Sequence, residues 1–262
     1  MYLGWLPFAI GLAAYAQSPA TELAFQAYIR ATESRLDSLL QDKDAFLWAN
    51  TPELRAKLRA GAVICEPRIG KGDRQVARGL IHDWVGAVFI PGASVERVLK
   101  SIQDYDNHKN TYAPNVIDSR TLERRGNDFK VHLRLLERKL TITVVLDSDY
   151  DVHYKPLEGR DWRSLSYSTR IVEIANAGRP NERVKRPGEN RGYLWRLNSY
   201  WLFRERDGGT YVECEAVSLS RTVPVAARLV GSIIRGLPKG FLANTLAATR
   251  KLILTDMSKP GR

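Results

Sequence analysis

Cysteine, histidine and long apolar runs are all scarce in this chain, and each scarcity narrows what it can do. The only cysteines are Cys65 and Cys214, which lack the CxxC or Cys-His spacing of a zinc site. An oxidising compartment would allow them to pair, but their apolar, strand-like contexts favour small buried hydrophobes over a bridge. The four histidines, His82, His108, His132 and His153, form no H-E-x-x-H or other paired ligand spacing, so no metal is expected. No G-x-S-x-G presents a serine nucleophile, and no glycine-rich phosphate loop follows a strand. Helix-turn-helix, zinc-finger and RNA-binding signatures are missing as well, so nucleic acid is not an expected partner. These patterns point to no catalytic residue and no cofactor.

Past residue 16 no stretch is apolar for long enough to cross a membrane. Before it, Leu3 to Ala16 is apolar and uncharged and ends Ala14-Tyr15-Ala16 before Gln17, an A-x-A cleavage pattern. No Lys or Arg precedes the run, and no cysteine marks a lipoprotein site. The expectation is a signal peptide over 1–16, cleaved after Ala16, and an exported, periplasmic or secreted protein; an uncleaved anchor or a buried N-terminal helix is the alternative. The chain carries 40 Lys and Arg against 29 Asp and Glu, a formal charge of +11, scattered and not in a block. A solvated basic surface is the plain reading of that excess, and attraction to an anionic membrane surface or acidic ligand the sharper one.

After the leader, the remaining length suits one large domain. Residues 17–61 read as an N-terminal helical extension, with Phe25, Tyr28, Ile29, Leu36, Leu39 and Leu40 on one face. A second short helix starts at Thr51-Pro52 and stops at Gly61. From Ala62 the pattern turns to strands: Ala62 to Arg68, Gly79 to Ile90, Val116 to Arg124, Phe129 to Glu137, Leu140 to Tyr154 and Trp162 to Ile174. Ser94 caps a helix through Ile102, and the charged stretch Arg179 to Gly192 reads as an exposed loop.

Tyr193 to Arg221 reads as a hairpin about Asp207-Gly208-Gly209. Alternation sets Tyr193, Trp195, Leu197, Trp201 and Phe203 on one side of its first arm, and Leu194, Arg196, Asn198, Tyr200 and Arg204 on the other. Neither side is cleanly apolar, which suggests a curved sheet around a cavity. A C-terminal amphipathic segment follows, with Val225, Leu229, Ile233, Leu237, Leu242, Leu246 and Leu252 on its apolar face. Pro238 and its neighbouring glycines predict a kinked helix or two helices broken near Leu237-Pro238. The expected class is α+β, a helix-grip fold in which a curved antiparallel sheet wraps a long C-terminal helix over residues 62–262.

The order of elements, with H-D-W-x-G-x-V-F-I-P-G from His82, D-Y-D at Asp104, W-R-L-N-S-Y-W from Trp195 and V-E-C-E-A-V-S-L-S-R to Arg221, resembles the START / polyketide-cyclase superfamily (SRPBCC, Bet v 1-like), and among it exported bacterial members of unknown function. The likeness spans roughly Gly79 to Arg250. It implies a deep cavity between sheet and C-terminal helix that holds an apolar ligand, and it specifies little chemistry.

Polar and aromatic residues forced onto strands are the candidate ligand contacts. Arg134, Arg170 and Arg196 either hold a ligand carboxylate or phosphate, or form surface ion pairs; Glu213 and Glu215 lie on the paired arm. Tyr105, Tyr167, Trp195, Tyr200 and Trp201 serve as core or as ligand walls, with Asn198 a polar handle among them. Three functions follow: a non-catalytic carrier or sensor of a hydrophobic, lipid-like molecule; a cyclase, dehydratase or hydrolase using cavity Arg, Glu or Tyr; or a basic envelope-surface module with a filled cavity. The missing nucleophile and metal site favour the first over the second, and cavity volume separates the first from the third.

Overall fold

Long β-branched and aromatic runs, punctuated by turn residues, pair here into one ten-stranded antiparallel sheet. The structure, a computed structural model, describes residues 17–139, 142–186, 188–222 and 228–258. Residues 1–16, the expected signal peptide, lie outside the described residues, and Val225, Leu229, Ile233 and Leu237 lie outside the described side chains.

The chain opens with helix α1, Pro19–Leu39, capped by the Ser18 hydroxyl accepting from the Thr21 N–H. Helix α2, Pro52–Arg59, is capped in the same way by Thr51. Two short strands follow, β1 (Ile64–Pro67) and β2 (Asp73–Val76), then the long β3, Gly79–Pro91. Helix α3, Val95–Ile102, leads through a 3-10 turn, Tyr105–Asn107, into the one-turn α4, His108–Thr111. A meander comes next: β4 (Val116–Arg125), β5 (Asp128–Lys139), β6 (Ile142–Pro156) and β7 (Trp162–Ala175). The two-residue β8, Arg183–Val184, precedes the hairpin β9 (Arg196–Arg206) and β10 (Gly209–Arg221), and α5 runs Arg228–Ser258.

The sheet runs β1-β3-β10-β9-β7-β6-β5-β4, with β2 flanking β3 and β8 flanking β7. In the hairpin Arg206 pairs with Gly209, leaving the two-residue turn Asp207-Gly208 with φ of 55° and 74°, the left-handed pair that such a turn requires. β2 and β8 were not legible as strands, because each is a few residues long inside a turn-rich, charged segment. Of the two forms expected for the C-terminal segment, the single helix holds: Pro238 lies inside α5 and does not split it in two. Leu242, Leu246 and Ile253 beyond the proline are fully buried against the inner face of the sheet, so packing holds this part of the helix in place.

Helices cover both faces over β3, β10 and β9, which explains why β3 is buried along its whole length apart from Pro91. On the inner face α5 and α3 pack against Trp84, Val88, Ile90, Val212, Cys214 and Phe203. On the outer face α1 packs Phe25, Ile29 and Leu36 onto Ile81, Val85, Leu202, Val217 and Leu219. The curved sheet gripping a long C-terminal helix is the α+β helix-grip class expected from the sequence. The N-terminal helix lies along the back of the same sheet. Within the described residues no helix is long and apolar enough to cross a membrane.

Candidate functional site

A hollow lies between the inner face of the sheet and α5, in two adjoining lobes of about 140 Å³ and about 120 Å³. Leu135, Leu197, Ser199, Trp201, Phe241 and Thr245 line both. The alternation of β9 puts Leu197, Ser199, Trp201 and Phe203 on this side, while Leu135 on β5 and Phe241 on α5 close it from the other. The outer lobe adds Val144, Leu146, Tyr193 and Leu242, with Glu137 as its only charged lining residue among those described. Glu137 accepts from the Asn115 side chain at 3.2 Å, and Asn115 in turn accepts from Asn244 of α5 at 3.3 Å, a polar link between β5 and the helix.

The inner lobe lies beneath the segment Tyr105 to Tyr112 and is rimmed by hydroxyls. Tyr105 and Tyr154 share a 2.7 Å hydrogen bond, and Tyr112 meets Thr249 at 3.0 Å. Ser164 and Ser166 face the lobe from β7. His108 contributes an imidazole held at Nε2, 2.8 Å from the Ile102 carbonyl oxygen, and burial pulls its pKa down to about 4. It is therefore neutral at pH 7. Among the described residues no group of three or more His, Cys, Asp or Glu side chains is arranged to hold a metal ion.

Of the residues singled out in the sequence, the hollow brings together two, Trp201 and Tyr105. The others lie behind the sheet. Tyr200, next to Trp201 on the same strand, necessarily points the opposite way, and its hydroxyl donates to Glu33 of α1 at 3.0 Å. Tyr167 packs edge-on against it. Trp195 precedes the start of β9, so the alternation does not extend to it, and it joins the cluster under α1. Arg196 pairs with Glu22 of α1 at 3.3 Å, and Asn198, on the same side of β9, is buried. Arg134 makes a two-point contact with Asp147, at 2.6 and 3.0 Å, and a further pair with Glu182; Arg170 meets Asp149 at 3.5 Å. None of these three arginines faces the hollow.

Glu213 and Glu215 are fully buried on that back face by the N-terminal segment. The Glu213 carboxylate accepts the backbone N–H groups of Leu47, Trp48 and Ala49 at 2.8 to 2.9 Å. Burial raises its pKa, and the three N–H groups oppose that shift. Glu215 sits between Arg35 of α1 and Arg68, the latter at 3.2 Å. Asp83 accepts from the Tyr28 hydroxyl at 2.6 Å; burial, then the charge of Glu215, pushes its carboxyl up to about 7. These carboxylates hold α1 and the chain after it onto the sheet. The hollow residues that the sequence did not mark, Tyr150, Tyr154, Leu135, Leu197 and Phe241 among them, carry the signature of ordinary core.

The two cysteines are free. Cys65 and Cys214 both pair with Gly86, from opposite sides of β3, so two strand spacings of about 4.8 Å separate them, beyond disulfide reach.

The strand order and the placement of the two long helices thus define an α+β helix-grip protein with an apolar inner hollow. No protein-family model and no curated protein matches the chain. Among solved structures it is similar to a STAR-related lipid transfer protein from Xanthomonas axonopodis, at 14% identity over 76% of this chain and 98% of that one, TM-score 0.46. It is similar also to human STARD10, at 12% identity over 79% and 83%, TM-score 0.44. The Zhui aromatase/cyclase from Streptomyces sp. R1128 is a third, at 10% identity over 69% and 98%, TM-score 0.48. The fold class rests on the chain's own topology.

Proposed function

We propose that the protein binds a hydrophobic small molecule in the hollow between sheet and α5, as a carrier or sensor without catalysis. The observation that carries this reading is the hollow itself, two apolar lobes walled by Leu135, Leu146, Leu197, Trp201, Phe241 and Leu242. A dry apolar cavity of about 150 Å³ accepts benzene, so each lobe takes a ring or a short branched chain. Burying ten methylene-sized groups yields about 8 kcal/mol before ordering costs, enough for binding without special chemistry. The lining supports catalysis poorly. Its titratable members among the described residues are Glu137, at the outer lobe, and His108, Tyr105, Tyr112, Tyr150, Tyr154 and Tyr193, with Cys214 buried; no nucleophile stands beside a base.

A lipid-like ligand met outside the cytoplasm, near an anionic membrane surface that the +11 charge attracts, is the finer form of the same reading. Native mass spectrometry of the full-length gene product, purified from its bacterial host and then denatured and extracted, tests it. A discrete added mass released as an apolar compound supports the proposal. Bare protein that also fails to bind a fluorescent fatty-acid probe or a small aromatic probe overturns it and returns the weight to a surface module.

A further inference from the structure

The back of the sheet holds a further cavity, of about 160 Å³, on the opposite side from the hollow and beneath α1. Leu36, Leu165 and Leu202 give it an apolar floor, and four charged side chains line it: Glu33 and Asp37 from α1, Lys155 from β6 and Arg163 from β7. Each wall gathers like charges. Glu33 and Asp37 are four residues apart on one helix, so they share a face. Lys155 and Arg163 are direct partners in the register of β6 and β7, so two cations stand side by side. Both arrangements cost stability unless opposite charge lies against them.

The protein itself supplies only part of that compensation. Arg163 donates from Nη1 to Asp37 at 2.7 Å, while its Nε is buried without a partner. Glu33 accepts from the Tyr200 hydroxyl at 3.0 Å, and the ring of Tyr167 stands edge-on to that of Tyr200 beside it. Burial, then the charge of Glu33, raises the Tyr167 phenol, which therefore keeps its proton at neutral pH. One ion pair thus joins the two walls. Among the described residues the other anion and the other cation, Glu33 and Lys155, make none, and Lys155 is exposed, so the cavity opens to solvent on its side.

We infer that this cavity is a site for a small zwitterion with an aliphatic side chain, an α-amino acid of about leucine size, whose carboxylate meets Lys155 and Arg163 and whose ammonium meets Glu33. An anion alone would answer the two cations and face two carboxylates, and a cation alone would do the reverse. Only a ligand that carries both charges complements both walls. The leucine floor takes its side chain, and a volume close to the about 150 Å³ that holds benzene keeps that side chain short. Half of the charges come from α1, which precedes the stretch that resembles the superfamily, so the site belongs to the N-terminal extension and is independent of any ligand in the hollow.

Titration calorimetry of the full chain with L-leucine, 3-methylbutylamine and 4-methylpentanoate provides the test, since the last two are leucine without its carboxylate and leucine without its ammonium. The expected result is that leucine binds, that each truncated analogue binds at least about tenfold more weakly, and that Lys155→Gln and Glu33→Gln each weaken leucine about tenfold. Lys155 is exposed, and Glu33→Gln keeps an oxygen for the Tyr200 hydroxyl, so both variants should melt close to the wild type. Failure of leucine to bind the wild type overturns the inference. Binding that neither substitution weakens places the ligand elsewhere and overturns it as well. A truncated analogue that binds as tightly as leucine shows that one charge suffices, which overturns the assignment to a zwitterion.

Discussion

The Asp83 carboxyl is buried behind the sheet, and its raised pKa couples folding to pH. Burial pushes it up to about 7 from an ordinary 3.8, with the charge of Glu215 adding to the rise and Arg35 and Arg68 opposing it. Below the ordinary value the folded and unfolded chains hold this proton equally. Between that value and about 7 the unfolded chain releases it and the folded chain keeps it, so stability falls as pH rises through this window and levels off above it. Glu215, raised chiefly by its own burial, acts in the same direction. Asp83→Asn keeps an oxygen for the Tyr28 hydroxyl and removes the charge. It should stabilise by on the order of 2 kcal/mol at pH 8 and by nothing measurable at pH 4, read from thermal melts at the two values. A lower melting point at pH 8 would show that the two arginines require the negative charge.

Among the elements, α1 and α5 press on the sheet from opposite sides, and each contact has one position that tests it. Gly86 on β3 lies against Leu242 and Leu246 of α5. A Cβ there would meet Leu246 Cδ1 at 2.6 Å and the Ile64 carbonyl oxygen at 3.0 Å, and Leu246 is fully buried with little room to move. Gly86→Ala should therefore cost about 1–3 kcal/mol by urea denaturation, since it forces the helix away from the sheet. On the other side Glu213 clamps the chain after α1 through three backbone N–H groups. Glu213→Ala leaves those donors without their acceptor and should cost about 3 kcal/mol or more. Hydrogen exchange at Leu47, Trp48 and Ala49 should rise more than exchange elsewhere; uniform exchange would mean that the segment is held by packing alone.

For the whole molecule, the excess of positive charge bears on membranes and not on the hollow. Most basic side chains whose partners are known make ion pairs at or near the surface, as Arg59 with Asp207 and Arg183 with Glu189 do, and such pairs contribute little each. Their sum still leaves +11. Co-sedimentation with phosphatidylglycerol vesicles is expected at about 20 mM salt and should be lost near 0.5 M, where screening shortens the reach of the field to a few ångströms. Binding that persists at high salt would instead point to inserted apolar groups.

The sequence by itself determined what depends on near neighbours. Alternating β-branched and aromatic runs, the Asp207-Gly208 turn and the Thr51 and Ser94 caps are local chemistry, and from them the strands, the hairpin, the helices and the helix-grip class could all be read. Only the tertiary structure decided which side of each strand looks into the hollow. An outer face marked by polar residues would have revealed that choice, but here α1 buries the outer face as thoroughly as α5 buries the inner one. Tyr200 and Trp201, adjacent and equally aromatic, therefore face opposite ways with nothing in their composition to say so. Glu213 and Glu215 look like cavity residues for the same reason, and Asp83 is buried on the same back face. Their partners come from Tyr28, Arg35, Arg68 and the 47–49 backbone, up to 180 positions away in the chain, and distance in sequence conceals a contact that burial then makes obligatory.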